Sequence, residues 1–248
     1  MNKLILVFLV FFTWQTGCSQ TQLDNKIVSY TVLPSDIQFY WQQNGKNYGS
    51  LGRLKSALAK EDKELVFAMN GGMYLPDGKP QGLYVENGRV LMPTDTTQTA
   101  YGNFYMQPNG VFYIDKQGKA AVVATRLLPE LSAIKYATQS GPMLVIEGEL
   151  HPKFRHESTS LYVRNGVGIL PDGRLLFAIS RQPVNFYTFA TFFRDAGCQN
   201  ALYLDGFVSR MYLPEKNIEQ LDGNFGVIIG QVKPISTNWY SFCLKWVC

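Results

Sequence analysis

Short turn signals recur between apolar runs along this chain: Asn87-Gly88, Asn109-Gly110, Gln117-Gly118 and Pro171-Asp172-Gly173. Such pairs supply the backbone conformations that a tight connection between antiparallel strands requires. They constrain the fold more than any other feature, because they set the flanking runs as short strands. Strands are expected at 65–69, 82–86, 90–92, 103–106, 111–114, 120–124 and 143–146, then at 161–163, 168–170, 175–180, 201–204 and 226–230. Only two segments have helical period. In GSLGRLKSALAKEDKE, Leu51, Leu54 and Leu58 share a face. In NFYTFATFFRDAG, Phe186, Phe189, Ala190 and Phe193 form a stripe, with Asn185 as N-cap and Gly197 as stop; core packing explains that stripe. Apolar residues make up 46% and aromatics 14%, enough for a sizeable core and too much for disorder. No linker or low-complexity stretch divides the chain. The expected fold is therefore one α+β domain over residues 27–231, with a mixed or antiparallel β-sheet core rich in hairpins and a few packed helices. An aromatic tail, 232–248, follows.

The first residues read MNKLILVFLVFFTWQTGCSQ. One lysine precedes an apolar run that is too short to span a bilayer but fits a signal-peptide core over residues 1–17. Thr16 and Gly17 then precede Cys18, which resembles the cleavage box of bacterial lipoproteins, with Gln15 standing where an aliphatic residue is usual. The expectation is an exported, lipid-anchored envelope protein facing the periplasm, attached at Cys18 and tethered through residues 18–26. A plain secretory leader is the other reading. The net charge is +4, with basic residues scattered, so there is no footprint for nucleic acid. Cys198, Cys243 and Cys248 have no CxxC spacing, which argues against metal binding by thiols, and their pairing stays open. His151 and His156 read as surface-loop residues.

Among the acids, Asp77, Asp115, Asp172 and Glu147 fall in turns, and Glu61, Asp62, Glu64 and Asp195 lie near helix ends. Asp205 differs. It ends the apolar run ALYL, where a carboxylate is disfavoured and costly to bury unpaired. Glu157, in a polar loop, is a second candidate. Other polar residues share Asp205's placement beside glycine at a strand end: Asn70-Gly71-Gly72, Ser140-Gly141, Arg164-Asn165 and Ser180-Arg181, with Gly206 and Ser209 after Asp205 itself. Glycine at such ends permits close approach of a ligand to the backbone. If the ends meet, they assemble carboxamides, guanidinium groups, hydroxyls and one carboxylate, a set suited to gripping phosphate.

FAMNGGMYLPDGKPQGLYVENG, SGPMLVIEGEL, RNGVGILPDGRLLFAIS and ALYLDGFVSRMY resemble, in order, the successive motifs of the phosphodiester glycosidase family, which includes the mannose 6-phosphate uncovering enzyme and bacterial exported proteins. The resemblance covers residues 38–230. The family's last motif reads Leu-Asp-Gly-Gly followed by Ser; here Asp205, Gly206 and Ser209 match and Phe207 replaces the second glycine. The resemblance implies site roles for Asn70, Gly71, Ser140, Gly141, Arg164, Asp205 and Ser209, and hydrolysis of a glycosyl phosphodiester at the sugar C1–O bond. On that expectation Asp205, Arg164 and Asn70 are catalytic. Gly71, Gly72, Ser140, Gly141, Asn165, Arg181, Gly206 and Ser209 bind substrate. No cofactor is required, with room for a structural Ca²⁺ drawing on Asp205 or Asp222. Two rivals stand beside it: a non-catalytic glycan-binding lipoprotein using Phe207 and tyrosines to stack on sugars, and a phosphodiesterase that breaks P–O.

Overall fold

The structure, a computed structural model, describes residues 26–205 and 208–235. The segment expected as a leader, residues 1–17, and Cys18, Gly206, Phe207, Cys243 and Cys248 lie outside the described residues. Three antiparallel sheets carry the chain. The first runs in the order β1 (Ile27–Val32), β14 (Leu175–Ser180), β13 (Asn165–Ile169), β15 (Ala201–Asp205), β11 (Met143–Ile146), β12 (Glu149–Leu150). The second is β7 (Arg89–Met92), β6 (Tyr84–Glu86), β10 (Ile134–Ser140), β8 (Gly110–Asp115), β9 (Ala120–Ala124). The third is β17 (Ile218–Glu219), β16 (Met211–Leu213), β5 (Lys63–Asn70), β18 (Ile228–Pro234), β2 (Ile37–Tyr40). A small ribbon pairs β3 (Gln42–Gln43) with β4 (Lys46–Asn47).

All three sheets turn one face to a common aromatic core. Phe39 meets Tyr136 at 5.2 Å between ring centroids, and Phe177 meets Phe67 at 5.1 Å and Phe112 at 6.1 Å, spacings at which aromatic pairs attract beyond simple burial. The outer faces are covered separately. Helix α1 (Leu51–Ala59) lays Leu51, Leu54 and Leu58 on the third sheet; burying each leucine stabilises by roughly 1.5–3 kcal/mol. Its Ser50 cap accepts a hydrogen bond from the Arg53 amide. Helix α2 (Phe186–Asp195) covers the first sheet with Phe186, Phe189 and Phe193, capped by Asn185, which accepts from the Thr188 amide at 2.9 Å. A register shift between Gln231 and Val232 on β18 sets Leu65 among the α1 contacts while Phe67 and Met69 face the shared core; an extra residue in one strand has that effect because side chains alternate.

The turn signals at Asn87-Gly88, Gln117-Gly118 and Pro171-Asp172-Gly173 close hairpins, with Asn87 at φ 50° and Gly88 at φ 77°. Asn109-Gly110 does not. Residues 103–106, expected as a strand, form a 3₁₀ turn. The Asn109 side chain is taken up by that turn: its Nδ2 donates to Phe104 O at 3.0 Å, and its Oδ1 accepts from the Thr125 hydroxyl. Residues 161–163 make only a single bridge, Tyr162 to Val184. No helix among the described residues is long and apolar enough to cross a membrane.

His151 is buried, not a surface residue. Its Nε2 donates to Gln107 O at 3.1 Å, its Nδ1 accepts from the Lys153 amide at 3.2 Å, and its ring stacks on Phe154. Both nitrogens are thus committed in the neutral form, and burial pushes the imidazole below its ordinary value. A histidine that is harder to protonate folded than unfolded binds more protons in the unfolded chain. Stability present above about pH 6.5 is therefore lost as pH falls from there through the folded value. Urea titrations at pH 7.5 and 5.5 are expected to show a larger drop for the wild type than for His151→Gln; equal drops contradict this assignment.

Candidate active site

Antiparallel pairing brings distant strand ends together. β13 lies between β14 and β15 and runs against both, so its first residue, Asn165, sits beside Ile179 on one side and Asp205 on the other. Asn70, the last residue of β5, comes to the same place from the third sheet. The three side chains interlock. Asn165 Oδ1 accepts from the Asp205 amide at 2.8 Å. Asn165 Nδ2 donates to Asn70 O at 2.8 Å and to Asn70 Oδ1 at 3.0 Å. Asn70 Nδ2 donates to the Asp205 carboxylate at 3.3 Å, and its Oδ1 also accepts from the Arg210 amide at 2.9 Å. Each carboxamide uses both its donor and its acceptor, so their orientations are fixed. Asp205 is the one acid in the buried set among the described residues. A carboxylate at this buried position keeps a strong field, since little water screens it.

The remaining expected residues divide into those that build the site and those that stand apart. Ser209 Oγ bridges Asp205 O at 2.8 Å and Val163 O at 3.1 Å, and Ser140 Oγ donates to Leu204 O at 2.8 Å. Both hydroxyls are buried and tie backbone around Asp205. Gly71 and Gly72 are close-approach positions: a Cβ on Gly71 would come 2.5 Å from Ile229 Cγ1, and one on Gly72 2.5 Å from Thr138 Oγ1. Gly141 likewise leaves room for Phe104 O and Asn109. Their smallness serves packing beneath the cluster. Arg181 is exposed; its amide donates to Lys26 O, and its side chain makes no hydrogen bond among the described residues. Gly206 lies outside the described residues. Glu157 also stands apart, its side chain 86% exposed beside His156.

Arg164 is the largest fully buried side chain. Phe186 lies over its guanidinium at 3.7 Å. Nε donates to Val184 O at 2.8 Å, Nη2 to Ser160 O at 2.9 Å and Nη1 to the Tyr203 hydroxyl at 3.3 Å. Burial lowers its affinity for the proton, while Tyr203 and Tyr162 act against that shift; arginine stays charged regardless. It forms none of the ion pairs among the described residues. The guanidinium therefore contributes positive potential from beneath the surface; it does not stand open as a bidentate grip.

Three tyrosines that the sequence did not single out surround this region. Tyr203 precedes Asp205 by two residues on β15, and the register shift between them turns Tyr203 toward α2 while Asp205 meets Asn70. Tyr162 lies 5.5 Å from the Arg164 guanidinium. Burial pushes the Tyr74 hydroxyl up, and the Asp205 charge adds to that shift. Asp222, considered for Ca²⁺, pairs with Arg210 through both oxygens at 2.8 and 2.9 Å, while Asp205 bonds Asn70. No group of three or more His, Cys, Asp or Glu among the described residues is arranged to hold a metal. Cys198 is a free, buried thiol, pushed up to about 12 by burial.

A family model described as phosphodiester glycosidase matches residues 63–238. The chain is 36% identical over 202 residues to the uncharacterized protein YigE of Escherichia coli K12, covering 79% of this chain and 78% of that one. Its fold is similar to that of the catalytic domain of zebrafish N-acetylglucosamine-1-phosphodiester alpha-N-acetylglucosaminidase, auto-inhibited by its pro-peptide. The TM-score is 0.58 at 14% identity, over 83% of this chain and 81% of that chain. A Burkholderia pseudomallei K96243 protein described as a "putative exported protein" gives a TM-score of 0.56 at 11% identity, over 83% and 73% of the two chains.

Proposed function

The chain belongs to the phosphodiester glycosidase family, and from that premise we propose that it hydrolyses the sugar C1–O bond of a glycosyl phosphodiester, releasing a free sugar and a phosphomonoester. The observation that carries this reading is the buried Asp205, its carboxylate bonded by Asn70 and its backbone amide by Asn165, at the meeting point of three strand ends. A phosphate leaves readily as an anion, so the leaving group needs less protonation than an alkoxide. The site must instead supply negative charge or a base beside the anomeric carbon and positive potential beside the departing phosphate. Asp205 activates water or stabilises the oxocarbenium-like transition state. Arg164 supplies the positive potential. Asn70 and Asn165 keep the carboxylate in place.

One observation favours a second reading. Tyr101 is fully exposed and Tyr162 is 52% exposed, and both line a cleft together with Tyr203, as aromatic side chains that stack on glycans would. In that reading the protein binds glycan without turnover. Purified chain incubated with a panel of sugar-1-phosphodiesters and nucleotide sugars separates the two. Release of free sugar from at least one is expected; binding with no release from any overturns the enzymatic reading. The leader and Cys18 support export and lipid anchoring. The same activity is then expected in the membrane fraction of producing cells, and in the soluble fraction once Cys18 is replaced by Ala.

A further inference from the structure

We infer that the Tyr203 hydroxyl is the group that touches the substrate phosphate, with Arg164 acting through it as a positioning residue. This rests on the phosphodiester reading above. Every hydrogen bond that the Arg164 side chain makes is spent on the protein: on Val184 O, Ser160 O and the Tyr203 hydroxyl. With Phe186 at 3.7 Å over its plane and no solvent exposure, it has no open edge to offer an anion. Its bond to Tyr203 has a direction. A guanidinium has no acceptor, so the tyrosine oxygen accepts and its own proton is left to donate elsewhere.

Among the described residues that proton has no protein acceptor, and Tyr203 lines a cleft of about 450 Å³ together with Tyr101, Asn103, Ser160 and Tyr162. The hydroxyl is thus polarised from behind by a buried cation and aimed at a space of substrate size. Burial pushes its pKa up, with Arg164 opposing this and the Asp205 charge adding to it, so it stays protonated and remains a donor at neutral pH. A donor backed by a cation in a poorly hydrated site is well matched to a phosphate oxygen that gains charge as the C1–O bond breaks. Tyr203 lies two residues before Asp205 on β15, and the register shift between them turns the two side chains to opposite faces of the strand end. A substrate that reaches both wraps that end, with its anomeric carbon beside the carboxylate and its phosphate beside the hydroxyl.

Tyr203→Phe removes the hydroxyl and keeps the ring. Calorimetric titration of the full chain with inorganic phosphate is expected to show binding by the wild type and at least tenfold weaker binding by the variant. On a sugar-1-phosphodiester, kcat is expected to fall at least tenfold. Equal phosphate affinity in the two proteins, or no phosphate binding by the wild type, overturns the inference even if the wild type turns substrate over. Phosphate binding that depends on Tyr203 in a protein that hydrolyses no phosphodiester upholds the anion site and overturns the catalytic reading instead. Should the variant not fold, a crystal structure of the wild type with inorganic phosphate decides. Phosphate within hydrogen-bond distance of the Tyr203 oxygen supports the inference, and phosphate bound only elsewhere, or not at all, refutes it.

Discussion

Asp205→Asn is expected to lower kcat on a sugar-1-phosphodiester by about 100- to 10,000-fold while leaving the thermal midpoint nearly unchanged. The substitution is close to isosteric. The Asn70 Nδ2 that donates to the carboxylate still finds a carbonyl oxygen, and the backbone amide at this position keeps its bond to Asn165. What disappears is the charge. If Asp205 activates water or stabilises positive charge at C1, that loss falls on kcat more than on KM, because the interaction is strongest in the transition state. Steady-state kinetics beside a melting curve check it. Wild-type turnover by a folded Asp205→Asn variant removes Asp205 from the mechanism.

The largest effect on stability is expected at Arg164. Arg164→Ala removes the side chain stacked on Phe186; among the described residues it takes the only side-chain donor from Ser160 O and leaves Val184 O with the Tyr162 amide alone. The cavity and the lost hydrogen bonds together cost about 3–5 kcal/mol. Arg164→Lys keeps the charge, but a single ammonium can neither lie flat under the ring nor reach three acceptors in a plane, so it restores only part of the loss. Urea denaturation measures both variants. An unchanged midpoint for Arg164→Ala contradicts the packing described for it.

Much of this fold can be read in the residues, because its signals are local. The leucine face of α1, the phenylalanine stripe of α2, its Asn185 cap and three hairpin turns each depend on a few neighbouring residues. The misreadings arise where a local signal was put to a tertiary use. Asn109-Gly110 has the composition of a hairpin turn, but the Asn109 carboxamide is committed to Phe104 and Thr125. The strands β1 and β2 carry a short apolar/polar alternation, and Asn44-Gly45 closes the β3–β4 ribbon just beyond them; these local signals were passed over. His151 follows a polar hairpin and looks exposed; only the fold reveals Gln107 O waiting for its ring nitrogen.

The site divides in the same way. A carboxylate ending an apolar strand is visible in the sequence, and its pairing partners Asn70 and Asn165 were among the residues expected to join it. Their hydrogen-bonding roles depend on strand register across two sheets, which composition does not encode. Arg164 was expected as an open cation. Its burial follows from Phe186 and Tyr203, contributed by α2 and β15, and no local pattern predicts that those rings close over it. Tyr203 was hidden for the opposite reason: a tyrosine in an apolar strand reads as core, and its hydroxyl acquires meaning only beside the guanidinium.

The central claim concerns which bond breaks, and hydrolysis in isotopically labelled water tests it most directly. The purified chain is supplied with a sugar-1-phosphodiester in labelled water, and both products are analysed by mass spectrometry. Label in the sugar is the predicted result, because water then attacks C1 beside Asp205. Label in the phosphomonoester means that water attacked phosphorus, and it would contradict the account.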